Sequence, residues 1–337
     1  MMLLLSHETT PHVVVIIRES EETHSNNIRS VVLCLESIPC SMPTNNAARF
    51  IHKISARVFC QWKGTGGNPV TVFMGENLVG SELAKTCAWE SVVIDPLQKR
   101  MAFYMPTGEE VSFCAHAAMG GAFCMAEQTS MVRFQDSSET TYQAQIDVPD
   151  QIVSLHMQAQ LQQQKVTNSP LLFRLIRDTL GLQSTDVQSS SFCHASIARP
   201  KTLIRVHSVE ALHQAKAPLN PEHFKSCCDA LVHSTGLYLY AKVNDEEYEC
   251  RQFPRASGYP EDPATGIAAA ALAASLDVVT PRRRYKFHQG TAMGKASLIM
   301  VDDMEWTEAT NEGKDRLVSF NLVGHVQIDE RETIDAL

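Results

Sequence analysis

Two stretches of this chain are apolar on every helical face, and that feature limits the folds open to it more than any other. The first, Val111-Ser-Phe-Cys-Ala-His116-Ala-Ala-Met-Gly-Gly-Ala-Phe-Cys-Met-Ala126, passes from a short strand directly into small and apolar residues. The second follows Glu261-Asp262-Pro263-Ala264-Thr265-Gly266 and runs, rich in alanine, from Ile267 to Leu276. A helix apolar nearly all round has no face to offer water and must be buried. Strand-like sequence precedes both runs, Glu249 to Phe253 in the second case, so the same grammar occurs twice and predicts an internal duplication. The expectation is an α+β chain of two similar domains, each wrapping strands around one small-residue helix.

With 337 residues the chain is long enough for two domains with cores of their own. Strand patterns start near residue 54: Arg57 to Gln61, the turn Gly66-Gly67-Asn68-Pro69, then the β-branched run Val70 to Met74. A helix is predicted over Asn77 to Ala88, and strands over Glu90 to Ile94 and Met101 to Met105. The Gln-rich stretch Gln158 to Gln164 and the breaker Asn168-Ser169-Pro170 read as a linker. Domains are therefore expected over residues 51–167 and 168–337, with the last strand completing the first domain. Residues 1–50 read as a partly disordered N-terminal extension. In the second half a helix is predicted over Phe173 to Leu180, with strands over Thr202 to Val206, Gly236 to Val243 and near Tyr285 and Leu298.

A formal charge of -9 gives a phosphate backbone no general reason to bind, which argues against nucleic acid as a partner. The longest uncharged apolar stretches, such as His12 to Ile17 and Val31 to Leu35, fall far short of the roughly 20 residues that span a bilayer, so no membrane span is expected. Ten cysteines are scattered without a C-x-x-C pair, which fits free thiols in a cytoplasmic protein. No Walker loop, dinucleotide fingerprint, nucleophile elbow or zinc-ligand spacing occurs, and no cofactor or metal is expected.

The chemistry is expected where the two buried helices begin, because a helix N-terminus offers free N–H groups and the positive end of a dipole to a carboxylate. In Asp262-Pro263-Ala264-Thr265-Gly266, Asp262 reads as a cap, Pro263 suits a first helical position, and Gly266 lets a ligand approach the backbone. Taken alone this is ordinary capping chemistry. His116 can carry a proton near neutral pH, although a lone histidine near a core is more often structural. Glu90 opens a strand that continues Val92-Val93-Ile94, so its carboxylate points either to solvent or to a cleft edge. In an apolar cleft it would give and take a proton. Cys114 becomes a candidate base only if the helix N-terminus lowers its thiol pKa; otherwise it is a small buried hydrophobe.

Four separated matches together resemble the phenazine biosynthesis PhzF-like family, of the diaminopimelate epimerase-like fold. They are Gly67-Asn68-Pro69-Val70-Thr71-Val72-Phe73, Trp89-Glu90-Ser91-Val92-Val93, Cys114-Ala115-His116-Ala117-Ala118, and Arg251-Gln-Phe-Pro through Glu261-Asp262-Pro263-Ala264-Thr265-Gly266. A weaker echo is Gln289-Gly290 with Met293-Gly294-Lys295-Ala296-Ser297. Order and spacing hold from about residue 54 to the C-terminus.

The resemblance implies two strongly curved sheets or barrels, each around its helix, and a cofactor-independent isomerase working by acid/base chemistry in the cleft between them. It implies that Glu90 moves a proton across one face of a small carboxylate substrate, and that Asp262 and His116 orient the substrate and share protons. Asn68, Ala117 and the backbone around Thr265 and Gly266 would hold the substrate, and the assembly would be a homodimer. Ala115 stands where the family usually has Gly and Ala118 where it often has Thr, which points away from the phenazine precursor as substrate. Cys114 lies where epimerases of this fold carry a first catalytic cysteine, while Asp262 replaces the second. A Cys-dependent epimerase or racemase is therefore the alternative enzyme, and a catalytically idle interaction protein the alternative outside enzymes.

Overall fold

Strands dominate the described residues, sixteen of them against six α-helices. The computed structural model describes residues 50–62, 64–126, 130–166, 169–231, 234–255, 258–278, 284–307 and 317–335. They belong to one compact unit, Ala48–Leu337. The extension over 1–49 and the boundary at 167–168 lie outside the described residues.

The first half contains β1 (Phe50–Cys60), β2 (Asn68–Met74), α1 (Gly80–Ala84), β3 (Ser91–Asp95), β4 (Arg100–Tyr104), β5 (Glu110–Val111), α2 (Ala115–Met125), β6 (Ser130–Gln135), β7 (Thr141–Asp147) and β8 (Ile152–Gln160). The second contains β9 (Gln162–Lys165), α3 (Ser169–Leu175), β10 (Cys193–Ser196), β11 (Lys201–Arg205), α4 (Val209–Gln214), α5 (Pro221–Leu231), β12 (Gly236–Lys242), β13 (Glu247–Pro254), α6 (Gly266–Asp277), β14 (Arg284–Gln289), β15 (Ser297–Trp306) and β16 (Leu317–Asp335). Among the described residues all sixteen strands join one mixed sheet.

The pairing order repeats. From β1, successive partners β2, β3, β4, β6, β7 and β8 are antiparallel, parallel, antiparallel, parallel, antiparallel and antiparallel. From β10, the partners β11, β12, β13, β14, β15 and β16 follow the same order. The parallel step across each apolar helix, β4 to β6 over α2 and β13 to β14 over α6, is the crossover that a parallel pair requires.

Strand β16 pairs antiparallel with both β8 and β1, so eight strands close into a ring, and α2 touches every one of them. The other half has an end: β9 is an edge strand, paired with β10. Helix α6 packs on β10, β11, β15 and β16. Small residues permit this enclosure, for a Cβ added at Gly120 would lie 2.9 Å from Val70 Cγ1. At the register shift between Val58 and Cys60, Phe59 adopts φ 65°. This β-bulge turns a fully buried ring against Gly266 and Gly324.

Three expectations change. Helix α1 is shorter than Asn77 to Ala88, because Asn77 takes φ 53°, a left-handed conformation outside any helix interior. Gln158 to Gln164 is not a linker: it ends β8 and forms most of β9. The side chains of β9 are exposed, as suits a polar sheet edge. Third, Pro263 is not the first residue of α6, which begins at Gly266 after a turn closed by Asp262.

Candidate active site

Glu90 immediately precedes β3, and its carbonyl accepts the Thr71 N–H at 3.2 Å, which fixes it beside the start of β2. The residue is 7% exposed, so of the two orientations open to its side chain the structure takes the inward one. Tyr259 donates its hydroxyl to Glu90 Oε1 at 2.6 Å. Oε2 is buried without a hydrogen-bond partner, and His116 Nε2 stands 3.9 Å from it. A buried unsatisfied acceptor costs about 1–3 kcal/mol, more for a charged one, so a stable fold gains nothing from leaving this oxygen bare.

His116 is the second residue of α2, and its Nδ1 lies 3.4 Å from Cys114 Sγ. Burial, followed by the charge of Glu90, pushes the Cys114 thiol up to about 12. The shift that a thiol base needs at this helix end is downward; desolvation drives it the other way.

Asp262 occupies a fully connected turn. Oδ1 accepts from Asn68 Nδ2 at 2.9 Å and from the Ala264 N–H at 3.2 Å, and Oδ2 accepts from Thr265 Oγ1 at 2.6 Å. Asn68 Nδ2 also donates to the Ala264 carbonyl at 2.7 Å. Gln289 locks the turn from behind, donating to the Asp262 carbonyl at 2.7 Å and accepting the Thr265 N–H at 3.3 Å. One residue before Asp262, Glu261 forms a bidentate pair with Arg251 at 2.8 and 2.7 Å, both side chains about 6% exposed. Burial pushes the Asp262 carboxyl up and the Glu90 charge adds to it, against the Thr265 hydroxyl and His116, which favour ionisation.

Glu90, Cys114, His116, Asp262, Thr265 and Gly266 thus line one cavity of about 70 Å³. Asn68 stands behind Asp262, its amide committed to the turn. Ala117 does not line the cavity; it is fully buried in the core, and its N–H points to the Cys114 sulfur. Gly266 lines the wall, but a Cβ there would meet Phe59 Cζ at 2.8 Å and Leu322 Cδ2 at 2.9 Å. Its smallness serves packing rather than ligand approach.

Tyr259, Arg199, Lys201 and Gln252 are among the wall residues that escaped the sequence reading. Tyr259 sits in a Gly-Tyr-Pro turn just before Glu261, a local signal for a constrained loop but none for contact with a carboxylate 169 positions away. A larger cavity, about 470 Å³, opens between β9, β10, β12 and α6 and is lined by Tyr240, Tyr248, Leu272 and Leu276. Size favours that one; the convergence of acid, base and bare carboxylate oxygen favours the smaller, and chemistry decides. Among the described residues no group of three or more His, Cys, Asp or Glu side chains could hold a metal ion. Every cysteine among them is free, and no helix is long and apolar enough to cross a membrane.

Comparison with solved structures finds this fold repeatedly. A PhzF-family phenazine biosynthesis protein from Bacillus anthracis matches at TM-score 0.67 and 16% identity, over 85% of this chain and 99% of that one. A protein described as a predicted epimerase from Pseudomonas aeruginosa matches at 0.63 and 19%, over 86% and 99%. A protein described as a probable proline racemase from Agrobacterium radiobacter, with bound carbonate, matches at 0.55 and 11%, over 84% and 92%. Comparison with curated proteins gives no match. The family model described as Phenazine biosynthesis-like protein, PhzC-PhzF, matches residues 58–319, a span that holds both apolar helices and every side chain of the cavity wall, and the chain belongs to that family.

Proposed function

We propose that the chain is a cofactor-independent isomerase that relocates a proton on a small carboxylate-containing substrate, with Glu90 as the acid/base. The observation that carries this reading is Glu90 Oε2: buried, unpartnered, and facing His116 inside the cavity that also holds Asp262. Tyr259 orients the other oxygen, so Oε2 is the one presented to substrate. Glu90 takes a proton from carbon, the electron pair spreads into the adjacent unsaturated system, and the same carboxyl returns the proton to a second carbon on that face. No net charge or electron is left over. His116 stabilises charge as it develops, and Asp262, its carboxyl raised by burial, is suited to hold a proton near neutral pH. Apart from the Ala117 N–H, which points to the Cys114 sulfur, the N–H groups of the two helix ends have no side-chain caps and are left for a substrate carboxylate. A division into two domains, a homodimer and a cytoplasmic location belong to the same reading.

The test is deuterium uptake from heavy water, followed by NMR, into a panel of cyclic and amino-acid carboxylates. Uptake by wild type that disappears in Glu90→Gln is the expected result; uptake that survives sinks the assignment. A second reading, a Cys114-dependent racemase, draws on the 3.4 Å contact between Cys114 and His116. It requires that thiol alkylation abolish turnover, whereas the Glu90 route predicts loss only to the extent that the added bulk blocks the cavity.

A further inference from the structure

The part of the cavity wall that the proposed proton transfer leaves unused is cationic. Lys201, the first residue of β11, is 6% exposed, and Arg199 lies two residues before it. Neither has an acidic partner within ion-pair distance among the described residues; Arg199 makes one hydrogen bond, to the Phe113 carbonyl at 3.3 Å. Beside them Gln252, wholly buried, leaves both Nε2 and Oε1 without partners. Buried ammonium and amide groups are ordinarily paired. Three polar side chains waiting on one wall therefore mark a place for something that brings its own charge and hydrogen bonds. Burial and the neighbouring Arg199 charge disfavour the ammonium in the empty cavity, and Asp262 only partly offsets them.

We propose that Lys201 and Arg199, with the Gln252 amide, form an anion subsite that anchors a carboxylate of the substrate, separate from the helix ends of the acid/base centre. The inference rests on the isomerase reading for the word substrate. Its physical content is that an acid enters a cavity already holding Glu90 and Asp262 because two unpaired cations offset their charge. Substrates bearing two acidic groups, or one acid distant from the reacting carbon, are the class such a wall selects. Uncharged analogues are disfavoured, since they leave Lys201 unpaired.

Isothermal titration of the full chain with benzoate, succinate, inorganic phosphate and neutral benzamide tests this directly. Wild type is expected to bind at least one of the two carboxylates ten-fold or more tighter than benzamide. Lys201→Met should lose that ten-fold preference, and Lys201→Arg should keep most of it; benzamide affinity should be equal in all three. Phosphate binding more tightly than either carboxylate, no binding of either carboxylate to wild type, or equal carboxylate affinity in wild type and Lys201→Met each overturns the proposal. A parallel loss of benzamide affinity in Lys201→Met, with circular dichroism unchanged, would make Lys201 a structural strut and also overturn it. Failure of the Glu90 assignment would appear in deuterium uptake instead, leaving these titrations unaffected.

Discussion

The two halves share one pairing order but enclose their helices differently. The first is a closed ring of eight strands touching α2 from every side; the second stops at β9 and leaves Leu272, Ser275 and Leu276 of α6 beside a cavity of about 470 Å³. Their strand entries differ in the same sense. Asn68-Pro69 opens β2 and reaches across to the turn before α6, while Arg199-Pro200 precedes β11 and reaches across to Phe113, just before α2. A neutral amide in one half answers a guanidinium in the other. The repeated scaffold thus supplies two crossing contacts, and the side chain chosen for each decides whether the contact is spent on a turn or left partly free for a ligand.

The sharpest way to break that comparison is at Glu90, whose place just before β3 is taken by Thr235 before β12, so that only the first half brings an acid to the cavity from this position. Glu90→Gln should lower deuterium exchange about 10²–10⁴-fold, the usual contribution of a positioned acid/base. Folding should barely change, since Oε2 gives up no hydrogen bond. A melting temperature that falls by many degrees in Glu90→Gln would make the residue structural and remove the chemical asymmetry between the halves.

A smaller effect separates the two arginines that hold the site's loops. Arg57 binds the Gly64 and Gly66 carbonyls at 2.8 and 2.7 Å and pairs with Asp329, with side chains 29% and 38% exposed. Arg251 is almost fully buried; besides Glu261 it donates to the carbonyls of Leu212, His213 and Ala215. Removing one partner of a buried pair strands the other charge, so Arg251→Met should cost about 3–5 kcal/mol in urea unfolding. The ion-pair share at Arg57, isolated by Asp329→Asn, should be about 0–1 kcal/mol. Equal costs would mean that the two halves are braced alike.

Closure itself is tested by adding bulk. Ala118 on α2 is fully buried within the ring, so Ala118→Leu should destabilise by about 1–3 kcal/mol through overpacking. Ser275 on α6 faces the large cavity, and Ser275→Leu should change stability by less than half of that. If both cost the same, the opening at β9 gives α6 no slack.

What could be read in the sequence follows from how local its cause is. Helices α2 and α6 were legible because a run such as Ala268-Ala269-Ala270-Ala271 has only one way to avoid water. Strand β2 was legible from Val70, Val72 and the preceding turn. Strand β16 was expected only as a last strand without bounds, since Gly324 and the charged run Asp329 to Glu332 interrupt its pattern, and its order comes from pairing with β8, β15 and β1. Glu90, His116, Asp262 and Thr265 stood out through motif resemblance, not periodicity. Tyr259, Lys201 and Gln252 reach the cavity through long-range pairing, which no window along the chain contains.

The smallest expected effect concerns the stability cost of the cationic wall. Glu90, Cys114, His116, Arg199, Asp262 and Tyr259 share the cavity with Lys201. Burial lowers the Lys201 pKa first, and Arg199 lowers it further. A lysine whose folded pKa lies below its unfolded value binds fewer protons folded than unfolded between those two values. Stability contributed by this group therefore rises with pH across that window and is lowest below the folded pKa, where the buried ammonium must be carried. Lys201→Met removes the penalty, and at mildly acidic pH it should stabilise the chain by about 0.5–2 kcal/mol, as replacement of a functional polar group commonly does. Urea unfolding of both proteins at several pH values from 6 to 10 gives the difference directly, with the other titrating groups cancelling to first order. A gain that shrinks as pH rises means the second half carries a charge at the expense of its own stability, which only a ligand can repay. A loss at every pH would make Lys201 part of the scaffold, and the contrast between Asn68 and Arg199 would then be one of packing alone.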